Sequence, residues 1–470
     1  MNKKSHVLAR AVRLATLAAI AAPATALAGG FSLNEQSASA MGVANAGTAA
    51  NPENATTVLF NPAGMSQLSG TNLSFGAAVL DIDAEAKDGA KATNQLGLPV
   101  QGSGGGDIAD PAVLPNVYLT HEVNDNIDVG FGIHAPYGLA ADYENDFVGR
   151  FFADKTELTA IEFTPSIAVS NGQGLSMGAG INIIYAEGRL SRSLDNSAAG
   201  YAVSGGTNPN LYDEGYADVQ GDDVGVTFRV GFLYELSPET QLGLTAQTGT
   251  ELKLKGDADL TNYVNPAAGV FTPVNVSEKV KVPLAIPESI TFGARHQLTD
   301  SVTLLAGATF SKWSRFEELD IISDEVGGPV TDAPQKGAII NHVTEKWQDT
   351  WQFNVGAIWQ ATPQWALKAG YAWDESPVND KYVTARVPSE DRHWLALGAQ
   401  WKDAQSGWTV DASVGTLIFA DNPKVNDRNY SHENPSQVAE LQPGVQDQSN
   451  YQAEYDLSAW SAGIQVSKAF

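Results

Sequence analysis

The 470-residue chain has no cysteine. A secreted protein without thiols draws nothing from disulfides, so hydrogen bonding and packing must carry its stability. Basic residues are scarce: 28 Lys+Arg stand against 54 Asp+Glu, a formal net charge of −26. That balance argues against nucleic acid as a partner, because phosphate binding needs a basic face. Past the first thirty residues, no eighteen consecutive positions are apolar, which excludes a helical membrane span. The mean hydropathy of −0.16 looks soluble. A membrane β-barrel, however, carries its signal in alternation, and the average misses it.

Residues 1–28 read as a secretory signal. Lys3, Lys4, Arg10 and Arg13 form a basic head, LATLAAIAAPATALA an apolar core, and Ala26-Leu27-Ala28 a small-x-small cleavage site before Gly29. Cleavage there removes four positive charges and no acids, leaving a net charge near −30.

The rest of the chain alternates with period two. In IEFTPSIAVS, Ile161, Phe163, Pro165, Ile167 and Val169 share one face, and Glu162, Thr164, Ser166 and Ala168 the other. After the turn NGQG, LSMGAGINIIYAEG repeats the pattern, and Asp222–Leu236 places Val224, Val226, Phe228, Val230, Phe232 and Tyr234 opposite Gly225, Thr227, Arg229 and Gly231. The second face is mostly Gly, Ser, Thr, Asn and Gln, which suits a crowded or wet lumen. Such segments centre near residues 75, 118, 130, 164, 181, 229, 246, 292, 306, 353, 369, 397, 413 and 464. They predict an all-β fold, a 14-stranded antiparallel transmembrane β-barrel. A strand of about ten residues at ~3.3 Å rise and ~45° tilt spans roughly 23 Å, close to the apolar band of an outer membrane.

Connection lengths support this. Short turns at 124–126, 171–174, 237–240, 298–301, 361–364 and 402–407 alternate with long connections at about 82–111, 136–155, 190–220, 255–281, 313–346, 374–391 and 419–455. Short periplasmic turns and long outer loops are the barrel rule. Trp359, Trp365, Trp401 and Trp408 flank two short turns, where indole prefers the interface. The chain ends in an alternating strand closing on Phe470, which resembles an outer-membrane assembly signal.

Residues 29–70 do not alternate and carry only two charges, Glu35 and Glu53. A solvated tail would be more charged. The expected domains are therefore a signal at 1–28, a hatch plugging the lumen at 29–70 and a barrel at 71–470. Within the hatch, Asn61 can cap a short helical turn, Pro62 fits its first position beside Ala63, and Gly64 limits its length.

The mature start GGFSLNEQSASAMGVANAG, the FNPA element, FGIHAPYGLAADY at 131–143, VGFLYELS at 230–237, FSKWSRFEEL at 310–319, WALKAGYAWDESPV at 365–378 and VPSEDRHWLALGAQW at 387–401 together resemble the outer-membrane long-chain fatty acid transporter family, which includes toluene and other hydrocarbon importers. The resemblance covers essentially the whole mature chain. It implies a plugged fourteen-stranded barrel in a bacterial outer membrane, with the Asn-Pro-Ala element in the plug. It also implies a third strand kinked inward, which leaves a lateral gap, and a hydrophobic small molecule that binds near the mature N-terminus and leaves sideways into the lipid.

On that resemblance Phe31, Ala135, Tyr137 and Arg192 bind ligand, Asn61, Pro62 and Ala63 belong to the hatch, and Pro136 and Gly138 mark the kink. Pro136 has an independent reason to disrupt a strand, since it cannot donate to the ladder. A second basic position of fatty-acid members, after the WSxF element, falls here on Asp320. Long-chain fatty acids and neutral hydrocarbons thus both remain open as cargo. A long acyl chain gains ~0.8 kcal/mol per buried CH₂, so about a dozen would be held by roughly 10 kcal/mol, and a hatch that moves would allow release without ATP.

Glu162, Arg229, Arg295 and Lys368 fall on the lumen face, where they can pair with one another or with the hatch. The class alternatives are an outer-membrane lipid hydrolase and an open porin. Of the mature histidines, His121, His134, His296, His342, His393 and His432, none sits in a Ser/His/Asp motif and none pairs at metal-ligand spacing. No cofactor or metal is expected. The remaining expectations are contact with outer-membrane lipid and lipopolysaccharide, and a monomer.

Overall fold

The computed structural model describes residues 29–470; the proposed signal at 1–28 lies outside the described residues. Fourteen antiparallel strands close on themselves. They are β1 (Thr71–Ala86), β2 (Ala112–Asn124), β3 (Ile127–His134, resuming at Gly138–Asp142), β4 (Lys155–Ser170), β5 (Leu175–Leu194), β6 (Gly215–Glu235) and β7 (Thr240–Gln247 and Thr250–Asn265). They continue with β8 (Val270–Ile286 and Ser289–Thr299), β9 (Val302–Ser311), β10 (Thr350–Gln360), β11 (Trp365–Asp374), β12 (Arg392–Asp403), β13 (Trp408–Phe419) and β14 (Asn450–Ala469). β1 pairs with β14 from Asn72↔Ala469 to Ala86↔Tyr455, which closes the barrel and leaves no free edge along that seam.

Around the periplasmic half the alternation is resolved as expected. Val224, Val226, Phe228, Val230, Phe232 and Tyr234 face outward, with Phe228 53% exposed, while Thr227 is buried inside. Trp359, Trp365 and Trp408 are exposed beside the short turns, and Trp401 is partly buried there.

The outer half differs from the sequence reading. The expected connection 255–281 is almost all strand, as are both ends of 190–220. β6 runs 21 residues, about 70 Å at ~3.3 Å per residue. Tilted, it outruns a ~25 Å apolar band by roughly as much again. The pattern also inverts: Leu252, Leu254, Ala258, Leu260, Val280, Val282, Leu284 and Ile286 are buried, while Lys253, Asp257 and Lys279 point out. Charges on the outer face cannot sit in lipid, so this half stands in water around an apolar core. The ladder continues because that core gives its inward side chains something to bury against.

Residues 29–70 pack inside the wall as short helical turns at Ala38–Met41, Thr48–Ala50, Thr57–Phe60 and Pro62–Gln67. Asn61 caps the last: its Oδ1 accepts from Ala63 N–H at 3.1 Å, and Pro62 takes the first position. The Asn61 amide donates to Ala49 O at 2.6 Å and to Phe232 O on β6 at 2.9 Å. Wall glycines make the fit. A Cβ on Gly243 would lie 1.8 Å from Ala49 O, one on Gly370 2.0 Å from Val43 C, and one on Gly178 2.3 Å from Ala63 N. Lys368 on β11 adds a charged tie, 2.7 Å from Glu53 and 3.0 Å from Asp411. At these positions the small-residue face of the strands lies against the backbone of residues 29–70.

Candidate functional site

β3 breaks at Ala135-Pro136-Tyr137. Below the break His134 pairs with Glu162, and above it Gly138 pairs with Thr159, so three residues oppose two on β4. On its other side, β3 pairs with β2 only over Val117–Asn124. Residues Ala112–Asn116 of β2 keep β1 as a neighbour but have no ladder to β3, which leaves a discontinuity in the wall.

The freed backbone groups pair with the mature N-terminus instead. Leu33 N–H donates to Pro136 O at 3.0 Å, Gly138 N–H donates to Phe31 O at 2.9 Å, and Ser32 forms a bridge with Tyr137. Gln36 Nε2 donates to Ala135 O, and both Ala135 and Tyr137 are buried. The kink is thus stitched to residues 31–36. Beneath it, His134 Nε2 lies 3.4 Å from Glu162 Oε1 with both side chains buried, and Tyr118 OH donates to Gln36 O at 3.1 Å.

Gly30 adopts φ +68, which L side chains rarely reach, and a Cβ there would stand 2.7 Å from the Trp313 ring. This turn delivers Phe31 into an aromatic cage. Ring centroids lie 4.6 Å away for Trp313, 5.8 Å for Trp347, 5.9 Å for Tyr137 and 6.0 Å for Phe316. Two cavities flank this layer. One, on the lumen side, is of mixed character, with Asn34, Gln36, His134, Arg229, Gln247 and Asn354 among its lining and Pro136 and Tyr137 in its wall. The other lies on the outer side and has about 650 Å³ of empty space counted out through its open mouth. Phe31, Leu139, Leu158, Leu190, Val219, Leu254, Val282, Leu284, Phe316, Leu319 and Trp347 make it strongly apolar.

Charge enters the apolar cavity at few points. Arg189 is already matched, since Asp218 holds its guanidinium in two hydrogen bonds of 2.9 and 2.8 Å. Arg386 is not. It is buried, and it donates to Lys155 O (3.3 Å), Thr156 Oγ1 (2.9 Å) and Ser191 O (3.1 Å). Among the described residues no carboxylate reaches it at ion-pair distance. Burial, then the like charge of Arg192, lowers its pKa to about 10, so it stays cationic. The acids nearby are themselves weakened. Burial raises Glu345 to about 8 despite a hydrogen bond from Trp347 Nε1, and raises Asp427 to about 6 despite the Ala385 N–H and Arg386. At neutral pH the cavity thus holds one buried guanidinium with no direct counter-ion.

The positions named from sequence distribute unevenly. Phe31 lines the apolar cavity and Tyr137 the lumen-side one; Ala135, Pro136 and Gly138 form the kink. Arg192 is partly buried, donates to Phe151 O at 3.1 Å and stands near Arg386, but does not line the apolar cavity. Asp320 points away, to His342 and His432. Arg386 escaped the sequence reading. It lies in a charged loop between β11 and β12, and only the fold carries it into an apolar interior.

Among the described residues no serine hydroxyl bonds a histidine: His121 meets Thr71, His296 Thr240, and His393 Tyr371. The comparisons give a lipid hydrolase no support either. The chain is 25% identical to a long-chain fatty acid transport protein of Escherichia coli O6:H1 over 402 residues, 82% of this chain and 85% of that one. The fold matches a FadL homologue from Pseudomonas aeruginosa with a TM-score of 0.80 at 22% identity, covering 94% of this chain and 100% of the other. The toluene transporter TodX of Pseudomonas putida matches with a TM-score of 0.66 at 16% identity, covering 94% and 99%. The description "outer membrane protein transport protein (OMPP1/FadL/TodX)" fits residues 18–470, and the chain belongs to that family of outer-membrane β-barrel transporters.

Proposed function

We propose that this protein moves long-chain fatty acids, or amphiphiles of the same chemistry, from outside the cell into the outer membrane, without catalysis. The observation that carries the reading is Arg386: a buried cation without a direct counter-ion in the wall of an apolar cavity. An acyl chain gains ~0.8 kcal/mol per CH₂ buried there, and a carboxylate would supply the charge that the wall lacks. A neutral hydrocarbon would use the same apolar surface and leave the cation unmatched.

In this reading residues 29–70 act as a hatch in a barrel of residues 71–470, behind a cleaved signal at 1–28. Phe31 and Tyr137 separate the two cavities. Because the kink is hydrogen-bonded to residues 31–36, a shift of the N-terminal segment would open the cavity floor and the discontinuity beside Ala112–Asn116 together. Cargo would then leave sideways rather than cross the packed lumen. Residues of the outward apolar belt contact lipid, lipopolysaccharide surrounds the outer half, and one chain suffices.

The test is equilibrium binding of a long-chain fatty acid and of the alkane of equal length to the purified protein. The fatty acid should bind at least tenfold more tightly. Equal affinities would assign the cavity to neutral hydrocarbons, and no binding of either would refute transport by this route.

A further inference from the structure

We propose that the outer loops hold a divalent transition-metal site of the zinc class, built from Glu318, Asp320, His342 and His432. The backbone sets up three of these. Glu318 bridges Thr344, Leu319 and Val343 exchange N–H···O bonds of 2.9 and 3.2 Å, and Ile321 pairs with Asn341. With a side-chain period of two, Glu318 and Asp320 share one face of this hairpin, and His342 stands opposite Asp320 on the same face. Their ligand atoms all lie within 4.8 Å of one another. His432 arrives from the long loop between β13 and β14. Its Nε2 is 3.6 Å from Asp320 Oδ2 and 3.9 Å from Glu318 Oε2, with its ring 5.3 Å from that of His342.

Two features separate this cluster from an ordinary group of surface charges. First, Asp320 is 3% exposed, yet its only polar partners are the two imidazoles; among the described residues no lysine, arginine or backbone N–H reaches it. A buried carboxylate in that position needs a cation. Second, His342 Nε2 is 2.9 Å from Thr344 Oγ1 while Nδ1 faces Asp320 Oδ1 at 2.6 Å. With Nε2–H donating to the threonine, the Nδ1 lone pair faces the carboxylate and is free to ligate an ion that moves the two atoms slightly apart; without an ion, Nδ1–H donates to Asp320 and Nε2 accepts from the threonine hydroxyl. A hydrogen bond from the second ring nitrogen is also how metal-bound histidines are oriented. Two imidazole nitrogens and two carboxylates fill a tetrahedral zinc-type sphere, whereas calcium and magnesium favour oxygen alone. Exposed Glu318 gives the ion a way in.

The site would also bear on the cavity. Phe316, Leu319, Glu345 and Trp347, interleaved with the ligands along the same hairpin, line the apolar cavity. A bound ion would cross-link that hairpin to the loop carrying His432 and brace the outer wall of the cavity. This consequence rests on the transport reading; the metal site does not.

The experiment is Zn²⁺ titration of the full chain in detergent, without fatty acid, after chelator treatment, with elemental analysis of the dialysed protein. One tight Zn²⁺ per chain is expected. It should weaken at least tenfold in His432→Gln and in Asp320→Asn, with Ca²⁺ failing to compete at hundredfold excess. His432 is exposed, so its variant tests the site without disturbing the barrel, and heat-modifiable gel mobility checks both variants. Zn²⁺ should also slow proteolysis of the 420–449 loop in the unaltered chain and not in His432→Gln. Absence of stoichiometric Zn²⁺, or stoichiometric binding that His432→Gln and Asp320→Asn leave unchanged, would overturn the proposal, as would equal binding of Ca²⁺.

Discussion

Replacing Arg386 with glutamine removes a positive charge from an apolar wall and leaves the barrel ladder untouched. A charge-assisted hydrogen bond to a bound carboxylate contributes about 1.5–3 kcal/mol. At about 1.4 kcal/mol per decade, the dissociation constant of a long-chain fatty acid should rise about 12- to 140-fold. Because the guanidinium is buried, the loss should change little with salt, unlike that of a surface contact. Arg386 also holds Lys155 O, Thr156 Oγ1 and Ser191 O, and glutamine cannot satisfy all three. The control is therefore the ligand. A primary alcohol of the same chain length uses the same apolar surface, so its affinity should shift by less than about threefold. Arg192→Gln should cost a fatty acid only about threefold, since that side chain stands outside the cavity lining and acts through distance. Isothermal titration or displacement of a fluorescent fatty acid in detergent would measure all four combinations. If acid and alcohol lose affinity equally in Arg386→Gln, the residue is structural and the head-group argument fails.

Phe31→Ala removes one wall of the apolar cavity and should weaken fatty-acid binding about tenfold, about 1.4 kcal/mol, without changing the temperature at which the barrel loses its compact gel mobility; an unchanged affinity would take Phe31 out of the site. Gly243→Val drives a side chain into Ala49 O and should loosen residues 29–70, giving ion conductance in planar bilayers close to that of a chain lacking them; silent channels in both would show that this segment does not seal the lumen. Glu345, neutral up to about pH 8, becomes a carboxylate in the cavity wall above that. Fatty-acid affinity should therefore fall between pH 7 and 9, and Glu345→Gln should flatten the fall. The same group binds a proton in the folded chain that the unfolded chain releases near pH 4.5. Its contribution to stability therefore declines as pH climbs from about 4.5 to 8, and protease resistance of the outer loops should decline with it.

The strand centres, the short turns, the outward apolar belt and the Asn61 cap were legible in the sequence because each is local. A period of two declares which residues share a face, and a cap needs only its neighbours three positions away. The low charge of residues 29–70 and the small residues on the opposite strand face are what suggest a plug, and Gly178, Gly243 and Gly370 leave room for the backbone of that segment beside the strands. Pro136 announced a break in β3, but not that residues 31–36 would take up the freed hydrogen bonds, a pairing across a hundred positions. The length of β5 to β8 was misread as loop. Charges on one face of Lys253–Asp257 signal solvent, and no local cue told that the other face covered a core. Arg386 and the His342–His432 pair were out of reach for one reason: their environment is made by segments far apart in the chain. Whether an arginine is matched, or two histidines ninety residues apart converge, depends on how loops fold over one another, and composition and spacing do not encode that locally.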